Sequence, residues 1–401
     1  MLEKKDYAYM VRTADLESNN FSDSVKYISK STYDFLSKSK VYGGEVLINK
    51  IGSPGRTYLM PKLDIPTSLG MNLFLLRMKG NNIDENTLYL YLNSKIGKNI
   101  IQRKINGTVP LTIDKKAIKS LYVPIFSNEF RGKLNDYLVD SIYKEKESKL
   151  KYTQAEKFLV SELGFEDFKS SNEKVSVKSL KESFLKTGRL DSEYYQEKYD
   201  GLFEKLSKNK IEKLSNLVRI KKSIEPGSEN YQTEGIPFIR VQDLSKFGLS
   251  TSNVFLSKSK FKDSITPRKD TILLSKDGSV GIAYKINKAK EVITSSAILH
   301  LEIKNENILP DYLTLVLNSM LVKMQAERDA GGSIINHWKK SEIENVIIPI
   351  IEKEKQEKIS KLLIESENLR NESKLILEKA IKSIEIAIEY NEEKAINYLS
   401  T

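Results

Sequence analysis

LLSKDGSVGIAYKI, residues 273–286, has a second copy earlier in the chain, LINKIGSPGRTYLM at residues 47–60. Leucine, lysine, glycine, serine and tyrosine positions match at an offset of 226, and Asn93-Ser94 and Pro124 recur 225 residues later. A period this long indicates a duplicated structural unit rather than a local motif. Two copies of one domain suggest a protein that binds two similar targets, or one target in two halves.

Length and charge narrow the class of protein. A chain of 401 residues predicts two or three domains, and 65 Lys+Arg against 54 Asp+Glu give a net charge of +11. This excess of positive charge favours a polyanionic partner, and nucleic acid is favoured over an acidic membrane. The alternative explanation of the charge excess is an AT-rich genome, which enriches Lys, Ile, Asn and Tyr. The absence of cysteine excludes disulfides and thiolate metal sites and favours the cytoplasm, as does an N-terminus, MLEKKDYAYM, without a signal peptide's apolar segment.

Both copies have the pattern of an α/β domain. In the first, VLINKI, YLMPKL, NLFLLRM and LYVPI predict strands, and residues 86–101 predict a helix. In the second copy, strands are predicted for IPFIRVQDL, for the repeated stretch at residues 273–286, for ITSSAILHLEI and for VIIPI. A helix is predicted from Pro310. The order of elements is therefore the same in the two copies.

Two long helices follow the copies. Residues 128–164 contain no proline and predict a helix of about 35 residues, and residues 352–397 contain neither glycine nor proline. Their apolar stripes contain serine and alanine, which favours close packing of helices. Antiparallel pairing within the chain is the simplest way to bury both stripes. The alternatives are that each helix packs on its own domain or on a second chain.

Several catalytic motifs are absent from the sequence. All ten prolines are isolated, so the Pro-Pro-aromatic motif of amino-methyltransferases cannot occur, and no Gly-Lys pair is followed by the Ser or Thr of a P-loop. His300, in AILHLEI, is expected to be a core residue, whereas His337 lies in a polar turn and could contact a ligand. We expect no metal site and no catalytic residue in this chain.

The chain resembles the DNA-specificity (S) subunit of type I restriction–modification systems. The resemblance is carried by GRLDSEYY (residues 188–195), IPFIRVQDL, the two glycine loops, and the exits GGSIINHWKKSEIENVIIPI and VPIFSNEFRGKLNDYL. It implies an α+β fold with a pseudo-twofold internal repeat, in which two similar α/β target-recognition domains are separated by two long antiparallel helices. The expected divisions are 1–125, first target-recognition domain; 126–165, central helix; 166–187, linker; 188–349, second target-recognition domain; and 350–401, C-terminal helix.

The resemblance also implies function. Each domain would read one half of a bipartite site in double-stranded DNA, and the helices would set the spacing and dock two methyltransferase (M) subunits, with restriction (R) subunits joining later. This chain would hold no cofactor, while S-adenosylmethionine, Mg and ATP would belong to the partner subunits. Two other hypotheses remain: a single-chain enzyme that cleaves or methylates DNA on the same domains, and a coiled-coil scaffold that binds proteins.

The first copy departs from the family pattern. The second copy has a leading segment, from Gly188 to about Gly227, whose counterpart at the repeat offset would lie before Met1. We therefore expect the first domain to lack its leading segment, or to be completed by another segment or chain.

A protein that recognises a DNA sequence needs hydrogen-bond donors and acceptors that contact base edges, and cationic side chains that contact phosphates. Polar residues at the turns of each copy are the candidates, although such lysines are also common on ordinary surfaces. The candidates in the first copy are Arg12, Thr13, Lys50, Arg56, Arg103, Lys104, Asn106 and Thr108. Those in the second copy are Arg240, Gln242, Lys276, Ser279, Arg328, Ser333, Asn336, His337 and Lys339.

Overall fold

The computed structural model describes residues 2–19, 21, 25–171, 173, 175–330 and 337–401. The chain divides into two compact units. Unit 1 comprises Met1–Lys146 and Leu369–Thr401, and unit 2 comprises Glu147–Asn368. Each unit has its own apolar core, and both long helices contribute residues to both units.

The strands are short and fall in two series. Those of unit 1 are β1 (Ala8–Val11), β2 (Tyr27–Ile28), β3 (Lys40–Val41), β4 (Val46–Asn49), β5 (Thr57–Leu59), β6 (Thr67–Leu69) and β7 (Leu73–Leu76). Those of unit 2 are β8 (Ile211–Lys213), β9 (Val218–Lys222), β10 (Ile236–Ile239), β11 (Leu244–Ser245), β12 (Gly248–Leu249), β13 (Phe255–Leu256), β14 (Ile272–Ser275), β15 (Ala283–Lys285), β16 (Ile293–Thr294), β17 (Ile298–Ile303) and β18 (Ile347–Pro349).

The helices complete the description. In chain order they are α1 (Thr13–Ser18), α2 (Lys30–Phe35), α3 (Glu85–Asn93), α4 (Lys95–Gln102), α5 (Lys115–Lys119), α6 (Asn128–Glu162), α7 (Phe184–Thr187), α8 (Glu197–Leu206), α9 (Leu214–Leu217), α10 (Pro310–Asn318), α11 (Met320–Asp329), α12 (Lys340–Glu344), α13 (Lys353–Glu389) and α14 (Glu392–Ser400).

The two units share one arrangement of strands. In unit 1, β4 lies antiparallel between β5 and β7, and β1 runs parallel to β6. In unit 2, β14 lies antiparallel between β15 and β17, and β10 runs parallel to β16. The helices α3, α4 and α5 then correspond to α10, α11 and α12 at an offset of 225 residues. The duplication seen in the sequence is thus a duplication of structure.

One predicted strand of unit 1 does not form. LYVPI (residues 121–125) has no strand conformation, although its counterpart β18 pairs antiparallel with β8. The prediction was wrong because apolar β-forming residues make a strand only when a neighbouring strand accepts their backbone hydrogen bonds.

Two predicted helices are each divided in two. Residues 86–101 form α3 and α4 because Ser94 is extended (φ −66°, ψ 161°) and its hydroxyl accepts a hydrogen bond from Gly97 N. The C-terminal helix ends at Glu389, and Asn391 caps the separate α14 by accepting a hydrogen bond from Lys394 N. Both breaks are made by N-cap side chains within otherwise helical sequence.

The long helices α6 and α13 are antiparallel, as the sequence predicted. In unit 1 the Ser141 hydroxyl donates to the carbonyl of Ser373 over 2.9 Å, and Ser373 donates back to Ser141 over 2.7 Å. In unit 2, Ser148 and Ser366 make the same reciprocal pair at 2.6 and 2.7 Å. Side chains this short allow the helix backbones to approach closely.

These serines belong to a heptad series that obeys the internal repeat. Four buried positions on α6, spaced by seven residues, recur as buried positions 225 residues later on α13: Leu134, Ser141, Ser148 and Ala155, followed by Ile359, Ser366, Ser373 and Ala380. Because the residue pairs are reciprocal, the same small side chains meet in unit 1 and in unit 2. We call these eight positions the serine seam.

Candidate nucleic-acid interface

The site begins with the glycine loop, which joins β4 to β5 in unit 1 and β14 to β15 in unit 2. Gly52 and Gly55 have φ of +88° and +83°, values that favour glycine. A Cβ on Gly55 would also lie 2.2 Å from Cγ2 of Ile101 in α4. Gly278 and Gly281 likewise have φ of +71° and +84°. The loops are therefore tight turns in both copies.

A second segment lies beside each glycine loop. In unit 1, Ile113 N donates to the carbonyl of Lys50 over 3.0 Å; in unit 2, Trp338 N donates to the carbonyl of Lys276 over 2.8 Å. Ile113 and Trp338 are 3% and 1% exposed. Trp338 is thus a core residue and is not exposed for stacking on a base. We call the glycine loop plus this segment (residues 50–56 with 103–113, and 276–281 with 337–339) the loop platform.

The candidate side chains on the unit 1 platform differ in how firmly their intramolecular partners hold them. The Lys50 ammonium donates to the carbonyl of Met71 over 2.7 Å and lies 4.7 Å from the centre of the Phe74 ring. Burial lowers the pKa of Lys50. Arg56 Nη1 pairs with Glu17 Oε1 at 2.9 Å, although the arginine side chain is 57% exposed. Lys50 is therefore held by the fold, whereas Arg56 can exchange its partner.

Glu17 connects Arg56 with a tyrosine that the sequence did not single out. The Tyr58 hydroxyl donates to Glu17 Oε1 over 3.2 Å. Burial, followed by the nearby Glu17 carboxylate, raises the pKa of Tyr58. Tyr58 is one of the residues repeated at the offset of 226, so the repeat itself was the available signal.

The most exposed candidates of unit 1 lie after α4. Arg103, Asn106 and Thr108 are exposed, and Lys104 is partly exposed. The backbone of Asn106 exchanges two hydrogen bonds with Thr112, each of 2.9 Å, which closes a small hairpin beside the glycine loop. No ion pair involves Arg103 or Lys104 within the described part of the chain. Their cations are thus available for phosphate.

Arg12 and Arg240 occupy equivalent places directly after β1 and β10. Arg12 Nε lies 3.1 Å from Asp15 Oδ2, and Arg240 Nε lies 3.6 Å from Asp243 Oδ2. Both aspartates also accept a hydrogen bond from the backbone N of their arginine. These arginines are therefore fixed by a local ion pair that caps the following turn.

Their neighbours Thr13 and Gln242 differ from each other. The Thr13 hydroxyl is 3.4 Å from Oδ1 of Asn49, at the start of the glycine loop, so it adjoins the platform. Gln242 is exposed, and the structure gives its side chain no fixed partner among the described residues.

The unit 2 platform contains a three-residue electrostatic cluster. The Asp277 carboxylate accepts hydrogen bonds from the Lys276 ammonium and from His337 Nδ1, the latter at 2.9 Å. Burial alone would raise the pKa of Asp277, but the hydrogen bonds from Lys276 and His337 outweigh it and hold that pKa below its ordinary value. The His337 side chain is nevertheless 64% exposed, and Ser279 and Lys339 are also exposed.

Arg328 does not lie on the platform surface. Its guanidinium stacks between Tyr194 and Phe203, 4.8 and 4.4 Å from the ring centres, and Nε donates to Asp329 over 2.8 Å. Arg189 stacks on Tyr194 at 4.5 Å. The motif GRLDSEYY therefore has a packing role. Ser333 and Asn336 lie outside the described residues.

The remaining features concern chemistry other than DNA binding. His300 is buried, as expected, and its Nε2 is 2.8 Å from the Thr294 hydroxyl. Among the described residues, no cluster of His, Asp and Glu could hold a metal ion. No described helix is both long enough and apolar enough to cross a membrane.

Comparison with known families gives a match that covers most of unit 2. Residues 204–383, which include its glycine loop and exit segment, match the family model described as type I restriction modification DNA specificity domain. The chain carries a type I DNA specificity domain. The resemblance inferred from the sequence is thus confirmed over the specificity domain.

Solved structures that match this chain include two S subunits. The S subunit of a type I restriction–modification system from M. genitalium is 15% identical, with 90% of this chain and 84% of that chain covered and a TM-score of 0.43. The HsdS subunit from Thermoanaerobacter tengcongensis is also 15% identical, with coverages of 85% and 81% and a TM-score of 0.32. Since these scores are below 0.5, the identification of the specificity domain rests on the family match. No curated protein sequence matches the chain.

Proposed function

We propose that this chain is the DNA-recognition subunit of a type I restriction–modification complex, and that each unit reads one half of a bipartite site. The observation that carries the proposal is the loop platform, which is present in the matched specificity domain and again in unit 1. Exposed polar groups are grouped on each platform, namely Arg103, Asn106 and Thr108 in unit 1 and Ser279, His337 and Lys339 in unit 2.

The finer assignments follow from the same proposal. The helices α6 and α13 set the distance between the half-sites, and the reciprocal bonds of the serine seam support a fixed helix register. M subunits dock on this chain, R subunits join later, and S-adenosylmethionine, Mg and ATP act in those partners. The chain itself performs no catalysis in this proposal, which the absence of a Pro-Pro-aromatic motif and of a P-loop in the sequence supports.

The experiment is a long-read methylome of cells that express this chain's M subunit, with and without the chain. We expect N6-methyladenine in a split motif that requires the chain. In Asn106→Ala/Thr108→Ala, one half of the motif should lose sequence preference, and in His337→Ala/Lys339→Ala the other half should do so.

Ser161→Ala is the matched control, because Ser161 is exposed on α6 and belongs to neither platform. It should leave both halves of the motif unchanged. A motif that is not split, or two platform variants that alter the same half, would contradict the proposal.

A further inference from the structure

The loop platform contains the same backbone bridge in both units. Ile51 and Thr112 form an isolated antiparallel bridge in unit 1, and Asp277 and His337 form one in unit 2. The two pairs correspond at the repeat offsets of 226 and 225. Because Ile51 and Thr112 make the bridge without charged side chains, the bridge alone does not explain why unit 2 has an aspartate and a histidine there.

The Asp277 carboxylate determines which ring nitrogen of His337 carries a proton. Its Oδ2 accepts a hydrogen bond from the Lys276 ammonium, and its Oδ1 lies 2.9 Å from His337 Nδ1. Although burial raises the pKa of Asp277, these two hydrogen bonds hold it below its ordinary value, so the carboxylate is ionised at neutral pH. An ionised carboxylate only accepts hydrogen bonds, and Nδ1 is therefore the protonated nitrogen.

The opposite ring nitrogen of His337, Nε2, is then an acceptor. In a neutral imidazole with its proton on Nδ1, Nε2 carries a lone pair. The His337 side chain is 64% exposed, whereas that of Asp277 is 21% exposed. Within the described part of the chain, Nε2 makes no hydrogen bond. The unit 2 platform thus presents to solvent an acceptor whose tautomer is fixed from behind.

An acceptor held in this way distinguishes bases by their amino groups. In the major groove, adenine presents its N6 amino group and cytosine its N4 amino group as donors, whereas guanine and thymine present carbonyl oxygens. An unprotonated ring nitrogen accepts a hydrogen bond from either amino group, and its lone pair is repelled by the carbonyl oxygens.

We propose that His337 specifies an amino base, adenine or cytosine, at one position of the half-site that unit 2 reads, and that Asp277 is its positioning residue. His337 Nε2 accepts a hydrogen bond from the exocyclic amino group in the major groove. The inference rests on the proposed function and deepens it, because it assigns one base contact to one atom. Thr112 holds the equivalent place in unit 1, so the two units present different chemical groups there.

The tautomer is the first measurement, and it needs no DNA. The chain contains two histidines, so NMR correlations between the ring nitrogens and ring protons of isotope-labelled histidine show two imidazoles, which His337→Gln assigns. At about pH 8, where an ordinary imidazole is neutral, we expect the proton of His337 on Nδ1. In Asp277→Ala the fraction protonated on Nε2 should rise. A His337 protonated on Nε2 in the unsubstituted chain would overturn the proposal.

The methylated motif locates the position that His337 contacts. Asp277→Ile/His337→Thr installs the pair that unit 1 carries on the same bridge, so the backbone of the platform should be kept. In cells that express the M subunit, this variant should relax one position of one half-site and leave the other half unchanged. Asp263→Ala is the matched control, since it removes one carboxylate that is exposed in unit 2 and outside the platform. It should leave the motif unchanged.

The last measurement removes the amino group itself. In duplexes bound by the chain together with its M subunit, deletion of the exocyclic amino group at the relaxed position should weaken binding about tenfold. The complex with Asp277→Ile/His337→Thr should lose much less affinity from the same deletion. Equal losses in the two complexes would overturn the inference.

The inference and the proposed function fail in different ways. If the double variant weakens binding to all sequences and relaxes no position, His337 contacts a phosphate, and the inference is wrong while the split motif stands. If the chain directs no split motif at all, the proposed function is wrong and the inference is wrong with it.

Discussion

The serine seam offers a quantitative test in unit 2, through the double substitution Ser148→Ala/Ser366→Ala. Both serines are at most 1% exposed, and their hydroxyls donate to each other's carbonyls over 2.6 and 2.7 Å. Each lost hydrogen bond costs roughly 1 kcal/mol, while alanine returns about 0.5 kcal/mol of helix propensity per site. We therefore expect the free energy of unfolding of unit 2 to fall by about 1 kcal/mol.

The assay is urea denaturation followed by the fluorescence of Trp338, the one tryptophan of the chain, which lies 1% exposed in the unit 2 core. Ser161→Ala is the control, since this exposed residue of α6 should show only the gain of about 0.5 kcal/mol from helix propensity. Ser148→Leu should cost more than the double alanine variant, because a leucine does not fit between helices held at serine–carbonyl distance.

The reasoning is refuted if the double alanine variant gains stability as Ser161→Ala does. The buried hydroxyls would then contribute nothing, and small size alone would explain the seam. A stable Ser148→Leu variant would refute the close approach of the helices.

Three further predictions concern single features of the two units. Burial lowers the pKa of His300 to about 4. The neutral imidazole therefore contributes its full stabilisation above about pH 6.5, and this contribution of roughly 3 kcal/mol is lost as the pH falls towards 4. Urea titrations of His300→Leu at several pH values should lack that pH dependence. Gly55→Ala should lower the melting temperature measured by circular dichroism more than Gly52→Ala, because both require positive φ but only Gly55 meets a neighbouring side chain; equal shifts would contradict this. Arg103→Ala/Lys104→Ala should reduce the slope of log K against log salt for DNA binding by about 2, and an unchanged slope would place the phosphate contacts elsewhere.

Much of the architecture could be predicted because its signals are local or periodic. The duplicated glycine loop, the apolar periodicity of α6 and the serines spaced by seven are properties of the chain itself. Even the buried state of His300 could be predicted, since it lies within an apolar strand pattern.

The candidate site was less predictable, because the availability of a polar side chain depends on partners that are distant in sequence. Lys50 and Arg328 carry the right charge, but the first is held by the carbonyl of Met71 and the second by Tyr194 and Phe203. Arg103 has the same charge in a similar context and is exposed. A one-dimensional pattern does not distinguish these cases.

The sequence by itself determined that this protein is built twice from one unit and that two long helices follow the copies. Only the tertiary structure decided which edges of those units are paired. LYVPI and VIIPI occupy equivalent positions and are both apolar runs around a proline, yet only the second contains a strand. The physical reason is that a β-strand is stabilised by backbone hydrogen bonds to a neighbour, and Ile211–Lys213 supplies that neighbour in unit 2 alone among the described residues.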